Sequence, residues 1–278
     1  MTSNSTFLHG GHVRANSIRQ HYLRYGGKGR PVVLVPGITS PAVTWGFVAE
    51  QFGRHFDTYV LDVRGRGLSE ASEALDYGLD ACAADVGAFA EALDLDGYAL
   101  VGHSMGARIG IRTARRHPRG LERIVLIDPP VSGPGRRAYP AQLNWYIDSI
   151  RLMRKGAGFE ALRPFSPTWT DAQLRLRSEW LHTCDERAIV ATYDGFHQDD
   201  IHADLKLLDL PTLLVLAGRG DVIRAADVEE MRQLMPAMQV AHVPDAGHMI
   251  PWDDEPGFYR AFGDFLGAPI QGEDHACQ

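Results

Sequence analysis

The sequence predicts an α/β fold: a mostly parallel sheet of eight strands flanked by helices, with a helical lid inserted after strand six. Three observations carry this expectation. Short runs rich in Val, Ile and Leu alternate with amphipathic stretches through most of the chain. The runs are nearly continuous in apolarity, the habit of parallel strands covered on both faces. The alternation breaks once, for about seventy residues, before another strand follows.

The elements follow in order. HVRANSIRQHYLRYGG (12–27) predicts a hairpin of two antiparallel strands turning near Asn16. PVVLVPG (31–37), DTYVLDVRG (57–65), YALVGHS (98–104), LERIVLID (121–128), PTLLVLAG (211–218) and MQVAHVPD (238–245) predict six further strands, each ending in turn residues. In LDACAADVGAFAEALDL (79–95), Cys82, Val86, Phe89 and Leu93 recur at helical spacing, and MGARIGIRTARRHP (105–118) predicts a helix stopped by Pro118. After Asp128, PPVSGPGRRAYP (129–140) is loop-forming by its Pro and Gly content; the helix-like stretch beyond it holds Trp145, Tyr146, Trp169 and Trp180. The expected division is therefore a core of residues 1–128 and 211–278 and a helical lid of residues 129–210. The final QGEDHACQ reads as a loose tail.

Composition narrows the function classes. The 278 residues carry 28 Lys and Arg against 35 Asp and Glu, a net charge of −7 with no basic block, which argues against nucleic acid or an anionic membrane as partner. Hydrophobic residues at 45% and charged residues at 23% describe a globule with ample core rather than a disordered chain. Cys82, Cys184 and Cys277 are widely spaced with no CxxC, so neither a disulfide framework nor a zinc knuckle is indicated. The start MTSNSTFLHGGH lacks a secretory pattern, and no apolar run approaches the roughly 18 residues of a membrane span; the cytoplasm is the expected location.

The chemistry concentrates at Gly102-His103-Ser104-Met105-Gly106, between a predicted strand and a predicted helix. G-x-S-x-G in that context is a nucleophile elbow: the serine takes a strained backbone, and its neighbours two positions away must be small for the turn to close. A serine hydroxyl needs a base. His248 stands out among twelve histidines because it follows the last strand, in VPDAGHMIPWDD, with Gly247 letting the loop pass close to the elbow. His103 is too near its own neighbour to act as base and is expected beneath the turn or lining the pocket. The base needs an acid to orient it, and two offer themselves at strand ends: Asp128 in IVLID and Asp221 after LLVLAGRG. Order and spacing leave the choice open. Oxyanion donors are expected from the backbone N–H groups of Met105 and Ile38, the latter in the loop after VVLVPG. Asp62-Val63-Arg64-Gly65-Arg66-Gly67-Leu68-Ser69 lacks a dinucleotide fingerprint and is expected to be a structural turn. His197-Gln198-Asp199-Asp200-Ile201-His202 has no metal-binding spacing and is expected to be a solvated lid edge, and His9-Gly10-Gly11-His12 is expected near a mobile terminus.

In that order, PGITS, DVRGRGLS, GHSMG, IDPP, LAGRG and AGHMIPWD resemble the α/β-hydrolase superfamily across about residues 20–267. The longer runs VPGITSPAVTWGFVAE, LVGHSMGAR, DPPVSGPGRRAYP and AGHMIPWDD are similar to its N-formylmaleamate deformylases, amidohydrolases of aerobic nicotinate breakdown. The 2-(acetamidomethylene)succinate hydrolases of vitamin B6 breakdown neighbour them in chemistry. The resemblance implies Ser104 as nucleophile, His248 as base and, because the acid of that group follows the sixth strand, Asp128 rather than Asp221. It implies release of formate and maleamate through a formyl-serine, with no metal and no cofactor. The partner is then a small amide bearing a carboxylate. Its cation is expected in the lid or hinge at Arg136 or Arg151, with Trp145, Trp169 and Trp180 as further contacts. The competing readings are a carboxylesterase or carbon–carbon hydrolase with the same triad, and a small-ligand receptor on the same fold.

Overall fold

The computed structural model of the chain describes residues 5–270; Cys277 and the predicted tail lie outside them. β1 (Phe7–Ala15) and β2 (Ile18–Tyr25) form an antiparallel hairpin around Asn16 and Ser17, both at positive φ, the turn geometry whose twist suits paired strands. β1 begins earlier than the sequence predicts. His9-Gly10-Gly11-His12, expected near a mobile terminus, is paired within it because each residue finds a partner on β2.

The six remaining strands are parallel: β3 (Pro31–Val35), β4 (Asp57–Leu61), β5 (Tyr98–His103), β6 (Leu121–Ile127), β7 (Thr212–Ala217) and β8 (Gln239–Val243). The sheet order is β1-β2-β4-β3-β5-β6-β7-β8. Every residue of β4, β5 and β7 is buried, which explains their unbroken apolarity. Parallel neighbours need long crossovers. These carry α1 (Gly46–Phe52) between β3 and β4, α2 (Leu79–Ala92) between β4 and β5, and α3 (Met105–Arg115) between β5 and β6. On α2 the predicted stripe is buried at Cys82, Val86 and Phe89. α3 ends before Pro118, with His117 at φ +48° leaving the helical region.

Between β6 and β7 the chain leaves the sheet and forms α4 (Leu143–Arg154), a 3₁₀ stretch at Phe159–Phe165, α5 (Asp171–Leu181), α6 (Glu186–Gln198) and α7 (Ile201–Leu205). The segment 197–202 departs from the expected solvated edge. Ile201 and His202 are buried, because α7 packs on α3. α8 (Ala225–Leu234) joins β7 to β8, and α9 (Ile250–Asp253) and α10 (Glu255–Phe262) follow the last strand. No helix among the described residues is long and apolar enough to cross a membrane.

Strand order reverses at β3, with β4 on one side and β5 on the other. In an open α/β sheet the crevice beyond the strand C-termini at such a reversal is where ligands bind. The loops after β3, β5, β6 and β8 all open there.

Candidate active site

Ser104 follows β5 directly and sits at φ 54°, ψ −116°, a conformation that costs a non-glycine residue about 1–3 kcal/mol. The surroundings enforce it. Its N–H donates to the Ile127 carbonyl at 2.8 Å, extending the β5–β6 ladder into the turn. A Cβ on Gly102 would stand 2.2 Å from the Gly106 carbonyl oxygen, and one on Gly106 would stand 1.9 Å from that of Val35. The helix therefore starts hard against the sheet, and both small neighbours are sterically required.

His248 reaches this serine from the loop after β8. Its Nε2 is 2.9 Å from Ser104 Oγ, and its Nδ1 is 2.7 Å from Asp128 Oδ2. A carboxylate beside Nδ1 fixes the proton there and leaves Nε2 free to accept the hydroxyl proton. Asp128 is buried one residue beyond β6, where its own N–H still pairs with Val215 at 2.9 Å. Asp221 is held elsewhere: its exposed carboxylate stands at the cavity rim and accepts from Arg224 at 2.7 and 3.0 Å. That pairing lowers its pKa. The structure thus brings Ser104, His248 and Asp128 into one hydrogen-bonded chain and leaves Asp221 out of it.

His103 lies beneath the elbow, fully buried. Its Nε2–H donates to the His248 carbonyl at 2.9 Å, so it holds the backbone of that loop. Burial, reinforced by the neighbouring His248, pushes its pKa down to about 3 and keeps the ring neutral.

Ile38 and Met105 are buried beside Ser104, and neither N–H donates to another group among the described residues. Buried unpaired donors are rare, and two near one hydroxyl have the chemistry to receive developing negative charge. The turn at 62–69, expected to be structural, also supplies Arg66 to brace this loop, a contact the sequence reasoning did not single out. Arg66, fully buried, donates to the carbonyls of Ile38 (3.1 Å), Arg64 (2.8 Å) and Ala188 (3.1 Å) and to Thr192 Oγ1 (2.7 Å). It fixes the Ile38 peptide and ties it to α6.

A cavity of about 380 Å³ opens above Ser104, and its wall is mostly apolar. Trp145 and Trp169 line it, together with Tyr139 and Tyr146, whose hydroxyls are 3.1 Å apart. Burial drives the Tyr139 hydroxyl well above its ordinary pKa. Three expected contacts need correction. Arg136 lies outside the cavity because it forms a two-pronged pair with Glu230, at 2.7 and 2.6 Å. Arg151 is exposed on α4 and engaged by Glu186. Trp180 falls off the inward stripe of α5, which runs Leu174, Arg177, Leu181. That stripe instead places Arg177 on the cavity wall, a residue the sequence reasoning did not single out.

The family model for the alpha/beta hydrolase fold matches residues 30–255, and the chain belongs to this family. It is 64% identical over 266 residues to the N-formylmaleamate deformylase of Pseudomonas putida, covering 96% of this chain and 99% of that protein. A crystal structure of an N-formylmaleamic acid deformylase from another strain of that species superposes with a TM-score of 0.88 at 53% identity, covering 91% and 99% of the two chains. An E-2-(acetamidomethylene)succinate hydrolase shares the fold, with a TM-score of 0.77 at 22% identity over 94% of this chain and 100% of that one.

Proposed function

We propose that the protein is a serine amidohydrolase that cleaves the formyl C–N bond of N-formylmaleamate, giving maleamate and formate. The observation that carries the reading is the Ser104–His248–Asp128 hydrogen-bonded chain at the base of an apolar cavity; similarity to the deformylase supplies the substrate. Residues 129–210 form the lid over that cavity in this reading. A cytoplasmic location belongs to it too, supported by the free, buried thiols of Cys82 and Cys184.

In the first half-reaction Ser104 Oγ attacks the formyl carbon while its proton passes to His248 Nε2. The carbonyl oxygen becomes an oxyanion and accepts from the N–H groups of Ile38 and Met105; each good donor of this kind lowers the barrier by about 3 kcal/mol. Asp128 stabilises the imidazolium. The tetrahedral intermediate collapses, the C–N bond breaks, and His248 returns its proton to the departing nitrogen. That nitrogen lies between two carbonyls, so its developing charge is delocalised and it leaves more readily than an ordinary amine. Maleamate departs, and the formyl group remains as an ester on Ser104. Water then gives a proton to His248 and attacks the formyl carbon. Formate leaves as the serine regains its hydroxyl proton.

The test is formate release from N-formylmaleamate beside simple esters, with Ser104→Ala as control. We expect the imide-like substrate to turn over well and the variant to lose activity by roughly a factor of 10⁶ while keeping its fold. Efficient ester hydrolysis with N-formylmaleamate untouched would replace this reading with a carboxylesterase.

A further inference from the structure

Five arginines of the described residues are buried, and four have their guanidinium groups fully committed. Arg64 pairs with Asp85, and Arg112 pairs with Asp204. Arg66 donates to three carbonyls and a hydroxyl. Arg108 donates to the carbonyls of Pro130, Ser132, Gly195 and Asp199. All four are structural staples, two with carboxylates and two with clusters of oxygen acceptors.

Arg177 differs on each count. It is only 6% exposed, lines the catalytic cavity, and has no carboxylate partner among the described residues. Its hydrogen bonds go to one residue, at 3.0 Å to Thr39 Oγ1 and a long 3.4 Å to the Thr39 carbonyl. Its Nε is buried without a partner. The rings of Trp145 and Trp169 stand 5.9 and 5.8 Å from the guanidinium carbon, which orients the group and screens it from water. Burial lowers its pKa, and only Cys184 and Tyr146 act in the opposite sense. An unpaired buried cation is costly to desolvate, so its place in the wall of a mostly apolar pocket calls for an anion that arrives with the ligand.

We propose that Arg177 is the carboxylate-binding site of the catalytic cavity. It takes the anionic end of a short amide acid on the part of the guanidinium that lines the cavity, while Ser104 meets the neutral acyl end. The proposal rests on the substrate reading above. It also makes the cavity selective: the fork of a guanidinium matches a carboxylate in two hydrogen bonds and matches a carboxamide poorly. Thr39 adjoins Ile38, so the carboxylate, Arg177, Thr39 and the oxyanion loop form one connected series. Binding energy from the remote end of the substrate thereby acts on the donor that stabilises the transition state.

The experiment has two arms. The first is calorimetric titration of the unmodified protein with maleamate and with maleamide, which differ only in carboxylate against carboxamide. We expect maleamate to bind at least about tenfold tighter. Equal affinities, or no binding of either, would overturn the proposal whatever the reaction proves to be. The second compares kcat/KM for N-formylmaleamate in Arg177→Met and Arg177→Lys. We expect losses of at least about 100-fold and about tenfold, with maleamate losing its advantage over maleamide in Arg177→Met. Retention of that advantage in Arg177→Met would also overturn it. If the unmodified protein leaves N-formylmaleamate untouched, the reaction reading fails, while the calorimetric arm still decides the anion site.

Discussion

The floor of the cavity is made by β5, β6 and the loop after β8; its roof is made by α4 and α5 of the insertion. They hold their side chains in different ways. On the floor, backbone geometry does the positioning. Ser104 is forced into its turn by two glycines, Asp128 sits one residue past a paired strand, and the His248 backbone is gripped by His103. On the roof, side chains hold side chains: Trp169 stacks on Trp252 at 5.8 Å, Trp145 meets Tyr146 edge-on, and Arg177 rests against both lining tryptophans. A floor of this kind preserves the reaction, and a roof of this kind can be rebuilt for a different substrate.

The sharpest break in that contrast concerns the two acids. Asp128 belongs to the floor, while Asp221 stands at the rim in a surface pair with Arg224. Asp128→Ala should lower turnover by about 10⁴, the cost of losing the orienting carboxylate of such a triad. Asp221→Ala should cost less than about threefold, since exposed ion pairs contribute little. Formate-release kinetics of the two variants measure this, and the reverse ranking would return the role to Asp221.

The same contrast explains what was legible in the sequence. Strand-helix alternation and the glycine spacing at 102–106 are local and steric, so they marked the sheet, the elbow and Ser104 directly. His248 was recoverable from strand order. The acid was not, because two aspartates occupy equivalent strand ends; what separates them is the Arg224 partner, which is a contact and not a pattern. The roof was hardest to read. Arg136, Arg151 and Arg177 are all arginines of a helical insertion, and nothing in the local sequence says that Glu230 and Glu186 satisfy the first two while the third meets no acid among the described residues. One signal was available: Leu174, Arg177 and Leu181 share the helical stripe, so an arginine stood where an apolar residue was expected.

Arg66 is where floor and roof meet, since it grips Ile38 below and α6 above. If the proposed oxyanion donor depends on that link, Arg66→Met should lower kcat by about 10- to 100-fold with little change in KM, because in the proposed reaction the Ile38 N–H acts mainly on the transition state. A rise in KM with kcat intact would instead assign Arg66 to the roof alone, as a brace for the insertion.

The smallest effect tests how the floor responds to acid. His103 has a folded-state pKa of about 3, against an ordinary 6.5, because it is buried and faces His248. The folded protein resists protonating this ring and the unfolded chain accepts the proton readily. Its neutral state therefore contributes no acid penalty above pH 6.5, and stability falls as pH drops from 6.5 toward 3, by up to about 1.4 kcal/mol per pH unit. His103→Gln keeps a donor for the His248 carbonyl and removes the titration. Urea midpoints measured across that window should fall less steeply for the variant than for the unmodified protein. Parallel slopes would mean that the ring can escape burial at low pH, making the base of the elbow more yielding than its packing implies.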